Sequence, residues 1–251
     1  MQIFSFNVNG IRSAQSKGLL HWLSSTLPDI ICFQEIKASE EQFNKPVFEQ
    51  LGYNCVVYPS LRKGYSGLAV LSKPLPNKIE LGMGDEFFDS EARLMKLYFD
   101  DFVFINTYFP SGTSQQRQEI KMKWLDLFYN HINEFTQSNK NILIAGDFNI
   151  CRLWIDIHNP QGHIHDSGFL PEERQWFEKF IEVGFEDTFR MFNNQTEQYS
   201  WWSYRAGARQ RNKGWRIDYI LSSKEFAKYI KNALIHIDVV FSDHCPVSIE
   251  L

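Results

Sequence analysis

Apolar residues along this chain fall mainly into short runs. "QIFSFNV", "DIICFQE", "YNCVVYP", "GLAVLSK", "RLMKLYF", "FVFINTYF", "NILIAGDF", "RIDYILSS" and "CPVSIEL" join β-branched or aromatic residues and stop at turn formers, which predicts strands. Helical periodicity interrupts them. Between positions 114 and 136, Leu125, Phe128, Ile132 and Phe135 recur at three- and four-residue spacing with polar residues between. A second helix is expected from Pro171, burying Trp176, Phe177, Phe180 and Ile181, and a third over 14–27, carrying Leu19, Leu20 and Leu23. Strands and helices mixed in this order suggest two packed sheets with helices outside. Nothing resembling a Pro/Ser/Gly-rich linker divides the chain, so residues 1–251 are expected to form a single domain. A faint internal echo pairs Asn7 with Asn149 and "AVLSK" (69–73) with "YILSS" (219–223).

Composition narrows the class of protein. With 43% hydrophobic and 16% aromatic residues in 251, a large core is affordable. A net charge of -4 argues against holding nucleic acid by bulk electrostatics alone, although a local basic face is allowed. Cys32, Cys55, Cys151 and Cys245 lie far apart with no CxxC pair, so they read as reduced core thiols. Neither a signal-like leader nor a bilayer-length apolar run is visible, which leads to the expectation of a soluble, cytoplasmic protein, nucleoid-associated if bacterial, with no membrane contact.

Strand ends carry the chemistry. In "LIAGDFNICRLWIDIHNP" (143–160), alternation puts Asp147 and Asn149 on one face with Phe148 on the other. Gly146, Asp147 and Asn149 also read as plain turn residues. Other strands end in the same manner, delivering Asn7 and Asn9, Glu35, Asn106 and Tyr108, and Asp243 with His244. Asp218 lies inside "RIDYIL", where a carboxylate needs a partner or a wet cleft, and His244 is available. Carboxylates, amides, one Tyr and one His without a nucleophilic Ser or Cys motif fit metal-assisted attack by water. Glu35 and Asp243 are hard oxygen ligands suited to Mg²⁺, Asp147 is placed to take a proton, Asn149 and Tyr108 to orient water or donate to a phosphoryl oxygen, and His244 beside Asp218 to supply positive charge. A satisfied core histidine is the plainer reading of His244. His163 and His165 read as part of a solvated loop.

"YSWWSYRAGARQRNKGWRIDYIL" (199–221) interleaves Arg205, Arg209, Arg211, Lys213 and Arg216 with Trp201, Trp202, Tyr204 and Trp215. Such a stretch neutralises phosphates and offers rings to bases or a baseless sugar, or it is a solvated loop beside core tryptophans.

Taken together, "FNVNGIR" (6–12), "FQEIK" (33–37), "YFPSG" (108–112), "GDFN" (146–149), "IDIHNP" (155–160), "SGFLPEER" (167–174), "YSWWSYRAGAR" with "GWRIDYIL" (199–221) and "SDHCPV" (242–247) resemble the exonuclease III and AP endonuclease branch of the endonuclease/exonuclease/phosphatase superfamily, in order and over essentially the whole chain. The resemblance implies an α/β four-layer sandwich, two packed mixed β-sheets flanked by helices, with the site at one edge. It implies Glu35 as main metal ligand with Asp243 and Asn9 nearby, Asp147 as water-activating acid, Asn149 and Tyr108 at the phosphate or water, Asn7 orienting, and Asp218 with His244 as a buried pair. Trp201, Trp215 and Ile217 match positions lining the pocket for a flipped-out abasic sugar. The expected function is a Mg²⁺-dependent repair nuclease, with Mn²⁺ able to substitute. It would act as a monomer on double-stranded DNA with abasic sites or 3′ ends. A catalytically silent nucleic-acid-binding relative is the rival, and would be marked by a missing acid or His. Two departures stand out: Asn9 where some relatives have Asp, and Arg152-Leu153-Trp154 where the family has His and more polar residues. This added cation and indole would tighten a DNA contact, disturb the loop, or mark an altered sequence.

Overall fold

The computed structural model describes all 251 residues. The first four strands begin one six-stranded sheet: β1 (Gln2–Asn7), β2 (Ile30–Gln34), β3 (Asn54–Tyr58) and β4 (Leu68–Ser72). The second sheet takes β5 (Lys78–Leu81), β6 (Leu94–Tyr98), β7 (Val103–Tyr108), β8 (Ile142–Asp147) and β9 (Phe185–Asp187). A short hairpin of β10 (Trp201–Trp202) and β11 (Gly214–Trp215) precedes β12 (Asp218–Ser223), which joins the second sheet, and β13 (Asn232–Ile235) and β14 (Val247–Glu250) return to the first. The sheet orders are β13-β14-β1-β2-β4-β3 and β5-β6-β7-β8-β12-β9. Each contains one parallel pair, β1 with β2 and β7 with β8, among antiparallel neighbours. The two orders therefore superimpose, and β4 and β12, the strands of the "AVLSK"/"YILSS" echo, hold equivalent places.

Alternation along each strand makes the layers. Ile3, Ile30, Cys32, Leu68 and Val70 meet Met95, Leu97, Phe104, Leu143, Ala145 and Ile220 between the sheets. The opposite parity of β1 and β2, Phe4, Phe6, Ile31 and Phe33, packs with Leu19, Leu23, Phe43 and Phe48 of the short outer helices. On the far side Ile105, Ile142 and Ile144 sit with Trp124, Leu125, Phe128 and Ile132 of the helix Gln115–Ser138 and with Trp176, Phe177 and Phe180 of the helix Pro171–Glu182. Helices, sheet, sheet and helices are the expected layers. The expected helix over 14–27 is instead two, Ile11–Ser16 and Leu19–Thr26, because Gly18 between them takes φ 111°, outside any right-handed helix.

The inner faces change character along their length. Following Ile3 on β1 come Ser5 and Asn7; following Ile30 and Cys32 on β2 comes Gln34; following Phe104 on β7 come Asn106 and Tyr108; following Leu143 and Ala145 on β8 comes Asp147. Both parallel pairs run the same way relative to this gradient, and antiparallel β12 enters at the same end with Asp218. Just below that end Gln34 Nε2 donates to Asn106 Oδ1 across the sheets at 2.8 Å, and Asn106 Nδ2 donates to the Phe33 and Ala69 carbonyls, both at 3.1 Å. Asn106 is thus a fully satisfied tie between the sheets.

Candidate active site

The polar end of the sandwich opens into a cleft of about 730 Å³. Asn9, Glu35, Lys37, Tyr108, Arg117, Asp147, Asn149, Trp201, Trp215, Ile217, Asp243 and His244 all reach it. Five of the six groups expected around one phosphodiester, Glu35, Asp147, Asn149, Asp243 and His244, are thereby gathered, and Asp218 is bonded to His244 directly beneath.

At its floor two carboxylates face each other. Asp218 and Asp147 are register partners across β12 and β8, and each is 1% exposed. Two anions directly opposite in a dry sheet repel, so a cation must lie between them. His244 does: its Nδ1 is 2.9 Å from Asp218 Oδ2 and its Nε2 is 3.8 Å from Asp147 Oδ2. Ser200 Oγ donates to Asp218 Oδ2 at 2.6 Å, which fixes that carboxylate. Burial alone would push the imidazole down, yet Asp218, by charge and hydrogen bond, with Asp147 and Asp243 behind it, raises His244 to about 10. For Asp147 burial dominates and raises its carboxyl to about 7, while His244 and the Asn7 hydrogen bond pull down and Asp218 and Glu35 push up.

Amides hold these acids in place. Asn7 Nδ2 donates to Glu35 Oε1 at 2.9 Å and to Asp147 Oδ2 at 2.8 Å, linking the sheets through one side chain. Asn149 donates its main-chain N–H to Asp147 Oδ1 at 2.8 Å and its Nδ2 to the Phe109 carbonyl at 3.0 Å. Strand alternation is not the cause of this proximity: β8 ends at Asp147, and Asn149 sits at φ 52°. Asn9 repeats the device, with φ 44° and its N–H on Asn7 Oδ1 at 3.0 Å, and Glu35 is left-handed too at φ 51°. With Lys37 at φ 49°, four non-glycine residues in that region at one site mark a backbone shaped by its neighbours.

Asn9 and Asp243, expected as ligands, are bonded to one another, Asn9 Nδ2 to Asp243 Oδ1 at 2.9 Å, and Trp201 Nε1 donates to Asp243 Oδ2 at 3.1 Å. Burial would raise Asp243, but His244, Asn9, Trp201 and Ser242 together hold it below the usual carboxylate range. Lys37 lies 2.7 Å from Glu35 Oε2 and donates to Asn9 Oδ1. Against its own burial, that ammonium and the Asn7 donor keep Glu35 ionised. Glu35, Asp147 and His244 present ligand atoms within 4.8 Å of one another, but a cationic His244 has no lone pair to give. The donor set that remains is carboxylate oxygen around Glu35, which fits a hard divalent ion that keeps waters and substrate phosphate as its other ligands.

The basic stretch divides. Arg205, Arg211 and Lys213 are exposed. Arg216 is 1% exposed and bridges Asp156 (2.8 and 2.9 Å) and Asp187 (2.6 and 3.1 Å), a buried cluster shared with Arg190. Arg209 spends its guanidinium on the carbonyls of Ser242, Ile237 and Val239 and lies 4.5 Å over the Trp202 ring. Expecting these two in a phosphate-facing stripe is therefore corrected: their donors are consumed by the fold, which linear charge density cannot reveal. Trp201 and Trp215 stand edge to face with centroids 6.0 Å apart, and with Ile217 they form one wall of the cleft. His163 meets the Trp215 ring at 5.2 Å and pairs with Asp166 at 2.7 Å, and His165 reaches the cleft. Arg152, Leu153 and Trp154 line a separate groove with Arg174 and Glu178, where Arg152 makes a two-bond pair with Glu178 at 2.9 and 3.0 Å.

Other groups escaped the sequence reading. Arg93, 2% exposed, stacks 4.8 Å over the Tyr108 ring and donates to the Tyr108 carbonyl and the Tyr65 hydroxyl, each at 3.0 Å. Burial first, then Glu35, holds the Tyr108 hydroxyl well above its ordinary value. Lys121 and Glu173, both fully buried, pair at 2.6 Å; Lys121 Nζ donates to the Asn149 carbonyl at 2.8 Å, and Glu173 accepts the Gly168 N–H at 2.6 Å. That pair anchors the loop leaving the site. A signal existed, since Lys121 interrupts the apolar stripe of Trp124, Leu125 and Phe128.

Buried acids around one imidazole, at the common edge of two facing sheets, suit the chemistry of a hydrolytic phosphoesterase. The description of the Endonuclease/Exonuclease/phosphatase family fits residues 4–244. An exodeoxyribonuclease of Bacillus subtilis (strain 168) is 38% identical over 252 residues, 99% of this chain and 98% of its own. Among solved structures, an AP endonuclease from Archaeoglobus fulgidus superimposes with TM-score 0.90 at 30% identity, covering 100% of this chain and 98% of that one. A 3′ phosphatase from Neisseria, solved bound to a product DNA hairpin, gives 0.93 at 26%, covering 100% and 98%. The chain belongs to the Endonuclease/Exonuclease/phosphatase family, within its exonuclease III and AP endonuclease branch, a group of metal-dependent hydrolytic nucleases. No helix is long and apolar enough to cross a membrane.

Proposed function

We propose that this protein is a DNA repair nuclease that hydrolyses the phosphodiester 5′ of an abasic site in double-stranded DNA, leaving a 3′-hydroxyl, and also trims 3′ ends. The observation that carries this reading is the in-register Asp218–Asp147 pair with His244 between them. A base poised near neutrality and a cation that persists to alkaline pH then sit at one dry edge.

Asp147 takes a proton from the attacking water, whose oxygen bonds to phosphorus as the bond to O3′ breaks, and O3′ takes a proton from solvent to leave as the 3′-hydroxyl. Asn7 keeps the carboxylate aimed, the Tyr108 hydroxyl donates to the water or to a non-bridging oxygen, and Asn149, whose donors are taken by Asp147 and the Phe109 carbonyl, orients the water through its Oδ1 acceptor. His244 faces the charge that grows on the phosphoryl group. Glu35 would hold Mg²⁺, or Mn²⁺ in its place, and the chemistry such an ion would supply there is positive charge against the reacting phosphate. Asp243 and Asn9, expected beside Glu35 at the metal, would complete its surroundings, Asn9 accepting from Lys37 and donating to Asp243, which also accepts from Trp201. Trp201, Trp215 and Ile217 receive the baseless sugar, while Arg205, Arg211 and Lys213 meet backbone phosphates. One chain supplies every group, so a monomer suffices, and a cytoplasmic, DNA-associated location suits such a substrate.

The test is incubation with an abasic-site duplex, with and without EDTA. Cleavage leaving a 3′-hydroxyl only when a divalent ion is present is expected; no cleavage under any divalent ion would remove the reading. Parallel rates on a recessed end and a blocked 3′ terminus apportion the two activities.

A further inference from the structure

The stretch that delivers Asp243 and His244 to the cleft has little structure of its own. Between β13 and β14, residues 236–242 form no helix or strand, and the one main-chain hydrogen bond inside the segment runs from the Val239 N–H to the His236 carbonyl at 3.1 Å. A loop this poor in internal bonds opens easily unless something outside it collects its polar groups. Asp243 and His244 follow it directly, so any slack in the loop reaches the imidazole between Asp147 and Asp218.

Arg209 collects those groups. Its Nη1 donates to the Ser242 carbonyl at 3.0 Å and its Nη2 to those of Ile237 and Val239 at 2.9 and 2.7 Å, so one guanidinium gathers three carbonyls spread along the loop. Lys17 Nζ takes that of Phe241 at 3.1 Å. The arginine is itself held in place. Ala208 before it is buried with Tyr199, Trp202 and Cys245, and the guanidinium lies 4.5 Å over the Trp202 ring. Bonds from a charged, planar fork are stronger than neutral ones and fix direction as well as distance.

Trp202 makes this more than a brace for a loop. Its N–H donates to the Asp243 carbonyl at 3.0 Å and the Cys245 N–H donates to the Ser200 carbonyl at 2.7 Å, so β10 and residues 243–245 form a short ladder in which Trp201 opposes His244. One rung thus carries a wall of the cleft on one side and the imidazole on the other. Arg209 spans both halves, stacking on β10 and binding the loop that leads into 243–245.

We propose that Arg209 is a positioning residue: it latches the loop 236–242 to β10 and so holds Asp243 and His244 in a fixed place relative to Trp201 and Asp147. It acts through them and contacts neither phosphate nor sugar. The proposal rests on the reading that the cleft cuts DNA, since the placing of His244 counts only where a phosphodiester reacts.

The experiment compares the unaltered protein with Arg209→Ala and Arg209→Lys, each well below its melting temperature, by three readings. Amide hydrogen exchange without DNA or metal should quicken by about tenfold or more in Arg209→Ala at Trp202, Val239 and Cys245, while β1 and β2 keep their native rates. Single-turnover cleavage of an abasic duplex should fall by about 100-fold, the cost of about 1 Å of misplacement in a reacting site. Binding of that duplex in EDTA should stay within about threefold with an unchanged salt slope, because no phosphate contact is lost. Arg209→Lys keeps the charge but offers a single nitrogen to the three carbonyls, and should fall between the two. Native exchange at Trp202 and Cys245, native cleavage from a loosened loop, a salt slope lower by about 1, or a lysine variant equal to the unaltered protein would each overturn the proposal. If Arg209→Ala does not fold, the same readings on Arg209→Lys decide it. Failure of the unaltered protein to cleave abasic DNA with any divalent ion would instead strike the nuclease reading, and the exchange pattern, taken without substrate, tells that failure apart from a failed latch.

Discussion

Replacing Asp218 by Asn keeps the shape of the side chain and the acceptor for Ser200, but removes the charge that holds His244 protonated. In the native site Asp218 overcomes the imidazole's burial and keeps its proton to about pH 10. Without that charge His244 falls from about 10 toward its ordinary value, because burial is then opposed only by the more weakly acting Asp147 and Asp243. At pH ~8.5 most of the imidazole would then lose its proton, so the rate should fall by about 10- to 100-fold, the lower figure if Asp147 and Asp243 still hold part of the charge. Asp147 feels two opposed changes, losing both the downward pull of a charged His244 and the upward push of Asp218, so its acid limb near pH 7 moves less than the histidine's. The native profile should climb through about 7 and fall through about 10, whereas the variant's alkaline limb should move down toward neutrality, leaving a lower and narrower maximum. The linked stability has a defined sign as well. A histidine raised from 6.5 to about 10 contributes its full stabilisation below 6.5 and loses it as pH climbs through about 10. The assay is single-turnover cleavage of an abasic duplex from pH 6 to 10 at fixed divalent ion. A variant that keeps its alkaline shoulder near pH 10, or loses one constant factor at every pH, would refute this account of His244.

Three more outcomes are expected. Asp147→Asn should lower turnover by about 10³-fold or more while binding of abasic DNA stays within twofold or so, because only the proton acceptor is lost; equal losses of both would contradict its role. Glu173→Gln leaves Lys121 as a buried unpaired ammonium, and at about 3–5 kcal/mol should depress the melting temperature by about 6–20 °C, with a paired Lys121→Met, Glu173→Leu change recovering much of it. Arg205→Ala should reduce the salt slope of DNA binding by about 1 at constant melting temperature, whereas Arg216→Met should cost about 3–5 kcal/mol of stability with no slope change, and a reversal of the two would restore Arg216 to the DNA-facing set.

Much of the architecture was legible in the sequence. Strands of period two and helices of period 3.6 declare themselves because burial on one face imposes that spacing, as in Leu143, Ala145 and Asp147 against Ile142 and Ile144. Elements with little apolar content of their own were not visible. Edge strand β5 (Lys78–Leu81) is mostly exposed, and the two-residue strands of the Trp201–Trp215 hairpin are too short to show a period. Gly18 looked harmless within a helical stretch until its φ of 111° split it.

Residue types and their order along the chain were enough to nominate Glu35, Asp147, Asn149, Asp218, Asp243 and His244, since carboxylates and amides at the ends of greasy strands need a reason to be there. Only the tertiary structure decided which of these groups touch. Asp218 is opposite Asp147 because β12 pairs antiparallel with β8, a register that local sequence does not encode, and Asn7 joins Glu35 to Asp147 only once two sheets face each other. Charge was least readable of all. Arg205, Arg209, Arg211, Lys213 and Arg216 look alike in a row of letters, yet folding brings Asp156 and Asp187 to Arg216, brings three carbonyls to Arg209, and leaves Arg117, from another part of the chain, as the cleft's unpaired guanidinium. Hydrophobic burial repeats with the local geometry of the backbone, so it is written locally; the fate of a charge depends on whichever distant group arrives beside it.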